Sequence, residues 1–304
     1  MPAMGMGKAY LTAARVLAGM VIAVCTTVAS VSQASPVQDR FFTSSDGVKL
    51  HYLEAGSPQA PTMVFVPGWT MPAWIWQRQI QAFAATRHVI AFDPRGQGQS
   101  QIARSGYEPD RRGQDVAELI DRLGSRPVLL VAWSLGVLDV LDYVGTSGDG
   151  RIAGLVLVDN SVGEDPPPTP RPRTPGAAKP TREQYVRGLF HTRQSDDFIQ
   201  RLARDSLRLP KPYADALLAY PKPRTYWRDA VEGAAKPVLY VVRPRLNAQA
   251  ENLVKNHPSA EMALFSDAGH ALFVDEPEHF DAVVSDFIAR RVWPGAALPE
   301  KAAP

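Results

Sequence analysis

Ser134 lies in Val131-Ala132-Trp133-Ser134-Leu135-Gly136-Val137-Leu138, a stretch whose residue types and spacing suit nucleophilic chemistry. The β-branched apolar run Pro127-Val128-Leu129-Leu130-Val131 precedes it, and apolar residues at helical spacing, Val137, Leu138, Leu141 and Val144, follow. A strand that turns sharply into a helix strains the backbone at its apex, so the residues two before and two after must be small. Here they are Ala132 and Gly136. Such a turn lifts the serine hydroxyl clear of the sheet and aims the backbone N–H of Leu135 at a developing oxyanion. Taken alone, the same residues also read as a helix N-cap after a buried strand.

A serine hydroxyl is a weak nucleophile until a base removes its proton, so a histidine is required. Among the 6 histidines, His51 falls in an early hairpin, His88 at a strand start and His191 in an insert. His257 and His279 fall in helical or solvent-facing contexts. His270 differs, because Phe265-Ser266-Asp267-Ala268-Gly269-His270 sets it in a small-residue loop after the last expected strand. An amphipathic helix from Pro277 to Val292 follows. A second oxyanion donor is offered by Val64-Phe65-Val66-Pro67-Gly68-Trp69, where a buried strand ends in a glycine turn and leaves the Trp69 N–H free.

These side chains need a scaffold. Alternation over Phe41-Phe42-Thr43 and Val48 to Leu53, joined at Ser45-Asp46-Gly47, predicts a hairpin. From Thr62 onward, short apolar runs (Met63–Val66, Val89–Phe92, Val128–Val131, Leu155–Val158, Val238–Val242) are separated by helical segments. Unbroken apolar strands that alternate with helices predict an α/β fold with a mostly parallel, doubly wound sheet. Residues 163–235 break the rhythm. Prolines crowd Gly163 to Pro180, and short amphipathic helices follow, a pattern read as a stiff linker and a helical cap over the carboxyl edge of the sheet.

Pro67-Gly68-Trp69, Asp93-Pro94-Arg95-Gly96-Gln97-Gly98-Gln99-Ser100, the Ser134 stretch and Ala268-Gly269-His270 occur in an order and spacing that resembles the α/β-hydrolase superfamily, over about residues 40 to 292. The resemblance implies an eight-stranded sheet and a hydrolase with Ser134 as nucleophile, His270 as base and the N–H groups of Trp69 and Leu135 as oxyanion hole. It implies that the Asp93–Ser100 segment is structural. The branch it points to is that of serine carboxylesterases and cofactor-free haloperoxidases.

The sequence departs from the superfamily at the acid. Most members carry it after the seventh strand, but here Pro237 to Val242 is followed by Arg243-Pro244-Arg245-Leu246-Asn247, and no carboxylate appears before Glu251. The imidazolium still needs a partner to fix its tautomer. Asp159, at the end of the sixth strand beside the elbow strand, is the first candidate, since some related haloalkane dehalogenases place their acid there. Asn247 is the alternative, and Asp275 reads as a helix cap.

Serine at the apex excludes the aspartate-nucleophile chemistry of dehalogenases and epoxide hydrolases. No Cys or His cluster has metal-ligand spacing, and no Gly-rich phosphate loop follows the first strand, so neither metal nor cofactor is expected. Trp133, Trp74 and Phe273 are expected around an apolar acyl or aryl pocket. The expected substrates are small or medium uncharged esters or lactones, with peracid formation or non-catalytic ligand binding as alternatives. A net charge of +2 from 33 basic and 31 acidic residues gives no case for nucleic acid.

The first 34 residues have the layout of a signal peptide: Lys8 and Arg15, an apolar run from Val16 to Val31, then Ser32-Gln33-Ala34 before the expected cut. The single cysteine, Cys25, falls within it, so the mature chain carries no thiol. The expected organisation is a core of residues 35–162 and 236–293, a linker and cap of 163–235, and a disordered tail of 294–304. Export to the periplasm or the medium is expected.

Overall fold

The structure, a computed structural model, describes residues 36–168 and 179–295. The segments expected to be signal peptide, part of the proline-rich linker and most of the tail lie outside the described residues.

Eight strands form one sheet: β1 (Gln38–Thr43), β2 (Lys49–Ala55), β3 (Thr62–Val66), β4 (His88–Asp93), β5 (Val128–Trp133), β6 (Ile152–Val158), β7 (Val238–Val242) and β8 (Ala260–Leu264). Their spatial order is β1-β2-β4-β3-β5-β6-β7-β8. β1 and β2 pair antiparallel, β2 joins β4 antiparallel, and every later pairing is parallel. β3, β4, β5 and β7 are buried along their whole length, which is why they read as apolar runs without alternation. β5 lies at the centre between β3 and β6, so what leaves its carboxyl end has neighbours on both sides.

The helices are α1 (Gln77–Phe83), α2 (Pro109–Arg122), α3 (Leu135–Ser147), α4 (Arg182–Arg187), α5 (Asp196–Ser206), α6 (Lys211–Ala216), α7 (Arg224–Glu232), α8 (Asn247–Asn256), α9 (Leu272–Asp275) and α10 (Pro277–Phe287). Two apolar clusters cover the two faces of the sheet. One takes residues of α2, α3, α7 and α8; the other takes Ile80 and Phe83 of α1 with Phe280, Val284 and Phe287 of α10.

The insert between β6 and β7 does not carry a core of its own. Val186, Leu189, Ile199 and Leu202 join the cluster on the α1 and α10 side, whereas Leu209, Leu217, Trp227 and Val231 join the other. The last insert helix, α7, packs on α3 as part of the core layer. α4 starts at a capping box, in which the Thr181 hydroxyl accepts from the Gln184 N–H and the Gln184 side chain reaches back to the Thr181 N–H.

The Asp93–Ser100 segment acts as a structural clasp. The Asp93 carboxylate accepts from the N–H of Ala73 (2.5 Å) and of Gln99 (2.8 Å) and bonds His51 Nδ1 (2.7 Å). Gly98 has φ +48°, and a Cβ there would lie 1.9 Å from Asp93 Oδ1, so this position admits only glycine. Arg95, fully buried, bonds Asp115 through Nε (2.6 Å) and Nη2 (2.8 Å).

Candidate active site

Three non-glycine residues have positive φ among the described residues: Thr70 (59°), Ser134 (53°) and Asp159 (46°). They follow β3, β5 and β6, three adjacent strands, so the backbone strain of the described fold collects at one edge. A non-glycine residue in this region costs about 1–2 kcal/mol, which tight surroundings must offset.

Ser134 has φ 53° and ψ −120°, the sharp turn that its neighbours predicted. A Cβ on Gly136 would lie 2.6 Å from the carbonyl oxygen of Val66 and 2.7 Å from that of Pro67. Glycine therefore lets the start of α3 pass against the end of β3. The elbow is tied down by the Ser134 N–H donating to Val158 O (2.9 Å) and by Asn160 Nδ2 donating to Ser134 O (2.8 Å).

Three side chains from three strand ends meet in one line. His270 Nε2 is 2.9 Å from Ser134 Oγ, and His270 Nδ1 is 2.6 Å from Asp159 Oδ2. Asp159 is buried and reaches the histidine from the end of β6. Its carboxylate also accepts from Arg243, through Nε to Oδ2 (2.7 Å) and through the backbone N–H to Oδ1 (3.2 Å). Arg243 directly follows β7, the strand end at which the resemblance to the superfamily led one to look for the acid. Asn247, the alternative partner, is the first residue of α8 and bonds Glu251 Oε1 (2.7 Å) instead of the histidine. Beside the acid, burial and then the charge of Asp159 hold the Tyr240 hydroxyl well above its ordinary pKa, so it stays a donor, 2.6 Å from Asn160 O.

The glycine turn after β3 abuts the elbow, for a Cβ on Gly68 would lie 3.0 Å from Ser134 Cβ. Neither the Trp69 N–H nor the Leu135 N–H has a protein acceptor among the described residues. Gln97 holds the turn from below: its Nε2 donates to Gly68 O (3.2 Å) and Met71 O (3.1 Å), and its Oε1 accepts from the Thr70 N–H (2.6 Å). The Trp69 indole donates to Ala214 O of α6 (2.7 Å) and meets Tyr185 of α4 edge-on, with the Arg182 guanidinium 4.7 Å above its ring.

The three aromatic residues expected to line substrate take other roles. Trp133 is 1 % exposed; it is the last residue of β5 and alternates to the opposite face from Ala132. Its indole donates to His270 O (2.8 Å), so it braces the histidine loop. Phe273 is fully buried and stacks on Trp76 at 3.7 Å. Trp74 donates to Asp205 Oδ2 (2.7 Å) beneath the Arg201 guanidinium. It lines a separate cleft of about 350 Å³, shared with Asp39, His51 and Gln99, which contains neither Ser134 nor His270.

Asp275 closes α9 and does more than the helix cap that its sequence context predicted. Its carboxylate accepts from the N–H of Gly269 (2.7 Å), His191 (2.8 Å) and Thr192 (2.9 Å), which joins the histidine loop to the insert. A Cβ on Gly269 would lie 2.5 Å from Leu189 O, so insert and loop touch backbone to backbone. Neither Arg243 nor Asp275 carried a local sequence signal for these roles. Among the described residues, no group of three or more His, Cys, Asp or Glu is placed to hold a metal ion.

Sheet, elbow and the Ser134–His270–Asp159 line together define the class, an α/β hydrolase with serine at the elbow. The chain belongs to the α/β hydrolase family, whose model matches residues 63–283. It is similar to a non-heme chloroperoxidase of Kitasatospora aureofaciens, 38 % identical over 117 residues, which span 38 % of this chain and 42 % of the relative. A bifunctional esterase/perhydrolase of Acinetobacter calcoaceticus is 31 % identical over 119 residues, 39 % of this chain and 43 % of that protein. In both cases the matched part is less than half of the relative's length. An esterase structure from a Rhodococcus species superposes with a TM-score of 0.70 at 22 % identity, covering 83 % of this chain and 99 % of the other, which speaks to the fold.

Proposed function

We propose that the protein is a serine hydrolase that cleaves small or medium uncharged carboxylic esters or lactones through an acyl-enzyme. The observation that carries this reading is the hydrogen-bonded line from Ser134 Oγ to His270 Nε2 and from His270 Nδ1 to Asp159 Oδ2. In the first half-reaction Ser134 Oγ attacks the ester carbonyl carbon while its proton passes to His270 Nε2. Asp159 holds Nδ1 as the donor, so Nε2 is the nitrogen free to accept. The carbonyl oxygen takes up negative charge between the N–H groups of Trp69 and Leu135, and each such donor is worth about 3 kcal/mol of barrier. The C–O bond then breaks, and His270 returns the proton to the departing alkoxide. Water repeats the sequence on the acyl-enzyme and releases the acid and free Ser134.

The test is hydrolysis of a panel of aryl, alkyl and cyclic esters by the wild type and Ser134→Ala. The wild type is expected to turn over at least one class, with the variant at background. Equal background rates in both would overturn the reading. The haloperoxidase and perhydrolase names of relatives that match over 38–39 % of this chain favour one second activity of the same site, peracid formation from a carboxylic acid and hydrogen peroxide. Peroxide-dependent bromination in acetate buffer, lost in Ser134→Ala, would establish it.

Export also belongs to this reading, on the strength of the basic, apolar and small-residue layout of residues 1–34.

A further inference from the structure

We propose that Arg243 is a positioning residue for this site: it fixes the plane of the Asp159 carboxylate and tempers the charge that Asp159 offers to His270. The inference rests on the serine-hydrolase reading above. Arg243 grips both oxygens of the acid, Oδ2 by its Nε and Oδ1 by its backbone N–H, and these two points set the rotation of the carboxylate about its Cβ–Cγ bond. His270 Nδ1 approaches the same Oδ2. The side chain of Asp159 is 1 % exposed, so its charge cannot be balanced by water, and that of Arg243 is 19 % exposed, so its own charge is only partly screened.

Two states of the histidine then differ. While His270 is neutral, Arg243 is the cation that makes a buried Asp159 tolerable. Once His270 holds a proton, two cations compete for one carboxylate oxygen, and the imidazolium gains less than it would from an unshared acid. The arginine therefore favours the neutral, proton-accepting form of His270 without touching it. The Tyr240 hydroxyl of β7 also interacts with the charge of Asp159, and Arg245 and Glu164 act on that same tyrosine. An acid at the end of β6 paired with a cation at the end of β7 forms one unit, which reverses the usual role of the β7 end.

The full chain and its Arg243→Gln and Arg243→Lys variants are to be compared by the rate at which a fluorophosphonate labels Ser134, followed by intact mass from about pH 5 to pH 9, with melting curves alongside. In Arg243→Gln the plateau rate is expected to fall about tenfold, as when a group that orients a reactive residue is removed. The acid limb of its profile is expected to move up by about one pH unit. Arg243→Lys keeps the charge and loses the directed Nε–H donor to Oδ2, so its plateau falls while its acid limb stays with the wild type. An unmoved limb in a folded Arg243→Gln overturns the inference. Should that variant fail to fold, Arg243→Lys decides, and a displaced limb there overturns it equally. If the wild type is not labelled at Ser134, the serine-hydrolase reading falls and this inference with it. Labelling with unmoved limbs removes only the inference.

Discussion

Replacing Asp159 by Asn tests the site at the point where the sequence departs most from its superfamily. The carboxylate meets three donors: His270 Nδ1 at 2.6 Å and Arg243 Nε at 2.7 Å on Oδ2, and the Arg243 N–H at 3.2 Å on Oδ1. An amide has one acceptor oxygen, so either orientation sets its NH₂ against a donor. With the NH₂ at the Oδ2 position it opposes Arg243 Nε and drives His270 to the tautomer whose Nε2 already carries hydrogen and cannot take the serine proton. With the NH₂ at the Oδ1 position it opposes the Arg243 N–H, keeps the useful tautomer, and still removes the negative charge that stabilises the imidazolium. A triad that loses tautomer control loses about 10⁴-fold in turnover. Because one orientation preserves the tautomer, the expected loss is about 10³–10⁴-fold in kcat, or roughly 4–5.5 kcal/mol. The assay is steady-state hydrolysis of the best ester from the panel, with circular dichroism to verify folding. A folded variant within tenfold of the wild type would refute Asp159 as the acid.

Ser134→Gly should be inactive and more stable than the wild type, because glycine relieves about 1–2 kcal/mol of strain at φ 53° against about 0.5–1 kcal/mol of extra chain entropy. That amounts to a rise of about 2 °C in Tm, and a lower Tm would contradict it. Burial, with Glu278 adding to it, lifts the Asp281 carboxyl from 3.8 to about 6. Since its folded value lies above the unfolded one, the group costs nothing below about pH 4, and its full penalty is present above about pH 6. Asp281→Asn, which keeps an acceptor for Gln79, should therefore gain about 1–2 kcal/mol near pH 7.5 and nothing near pH 4 in parallel melts. If the proposed export holds, mass spectrometry of the protein from the periplasm or the medium should find Ser35 at the amino terminus, and an intact leader would contradict the expected cut after Ala34.

The sheet was legible because strands buried on both faces must be apolar throughout, and the elbow because Gly136 has to pass Val66 O at a distance no side chain permits. Asp159 was legible only by topology, as the carboxylate at the end of the strand beside the elbow. Arg243 was not, since a cation after a strand carries no spacing rule, and its meaning depends on a neighbour 84 residues away. Trp133 and Phe273 misled for the opposite reason. Aromatic residues close to a serine suggest a pocket wall, yet strand alternation turns Trp133 away from Ala132's face, and Phe273 sits in the core against Trp76. The strain at Thr70 had no signature at all, because threonine seldom adopts positive φ and only the grip of Gln97 on that turn shows how it is held.

The tie between Asp275, Gly269 and the backbone of residues 189–192 bears on how this protein can be rebuilt. In a modular design the region above a site is a cassette, exchanged to change specificity while the machinery below is left alone. Here the cassette is fastened to the loop that holds the histidine. A chimera that imports another cap must import matching N–H donors for Asp275 and a backbone that accepts Gly269, or it will shift His270 relative to Ser134. Changes at residues 189–192 therefore reach the histidine loop, and a library that randomises them is expected to shift His270 as well.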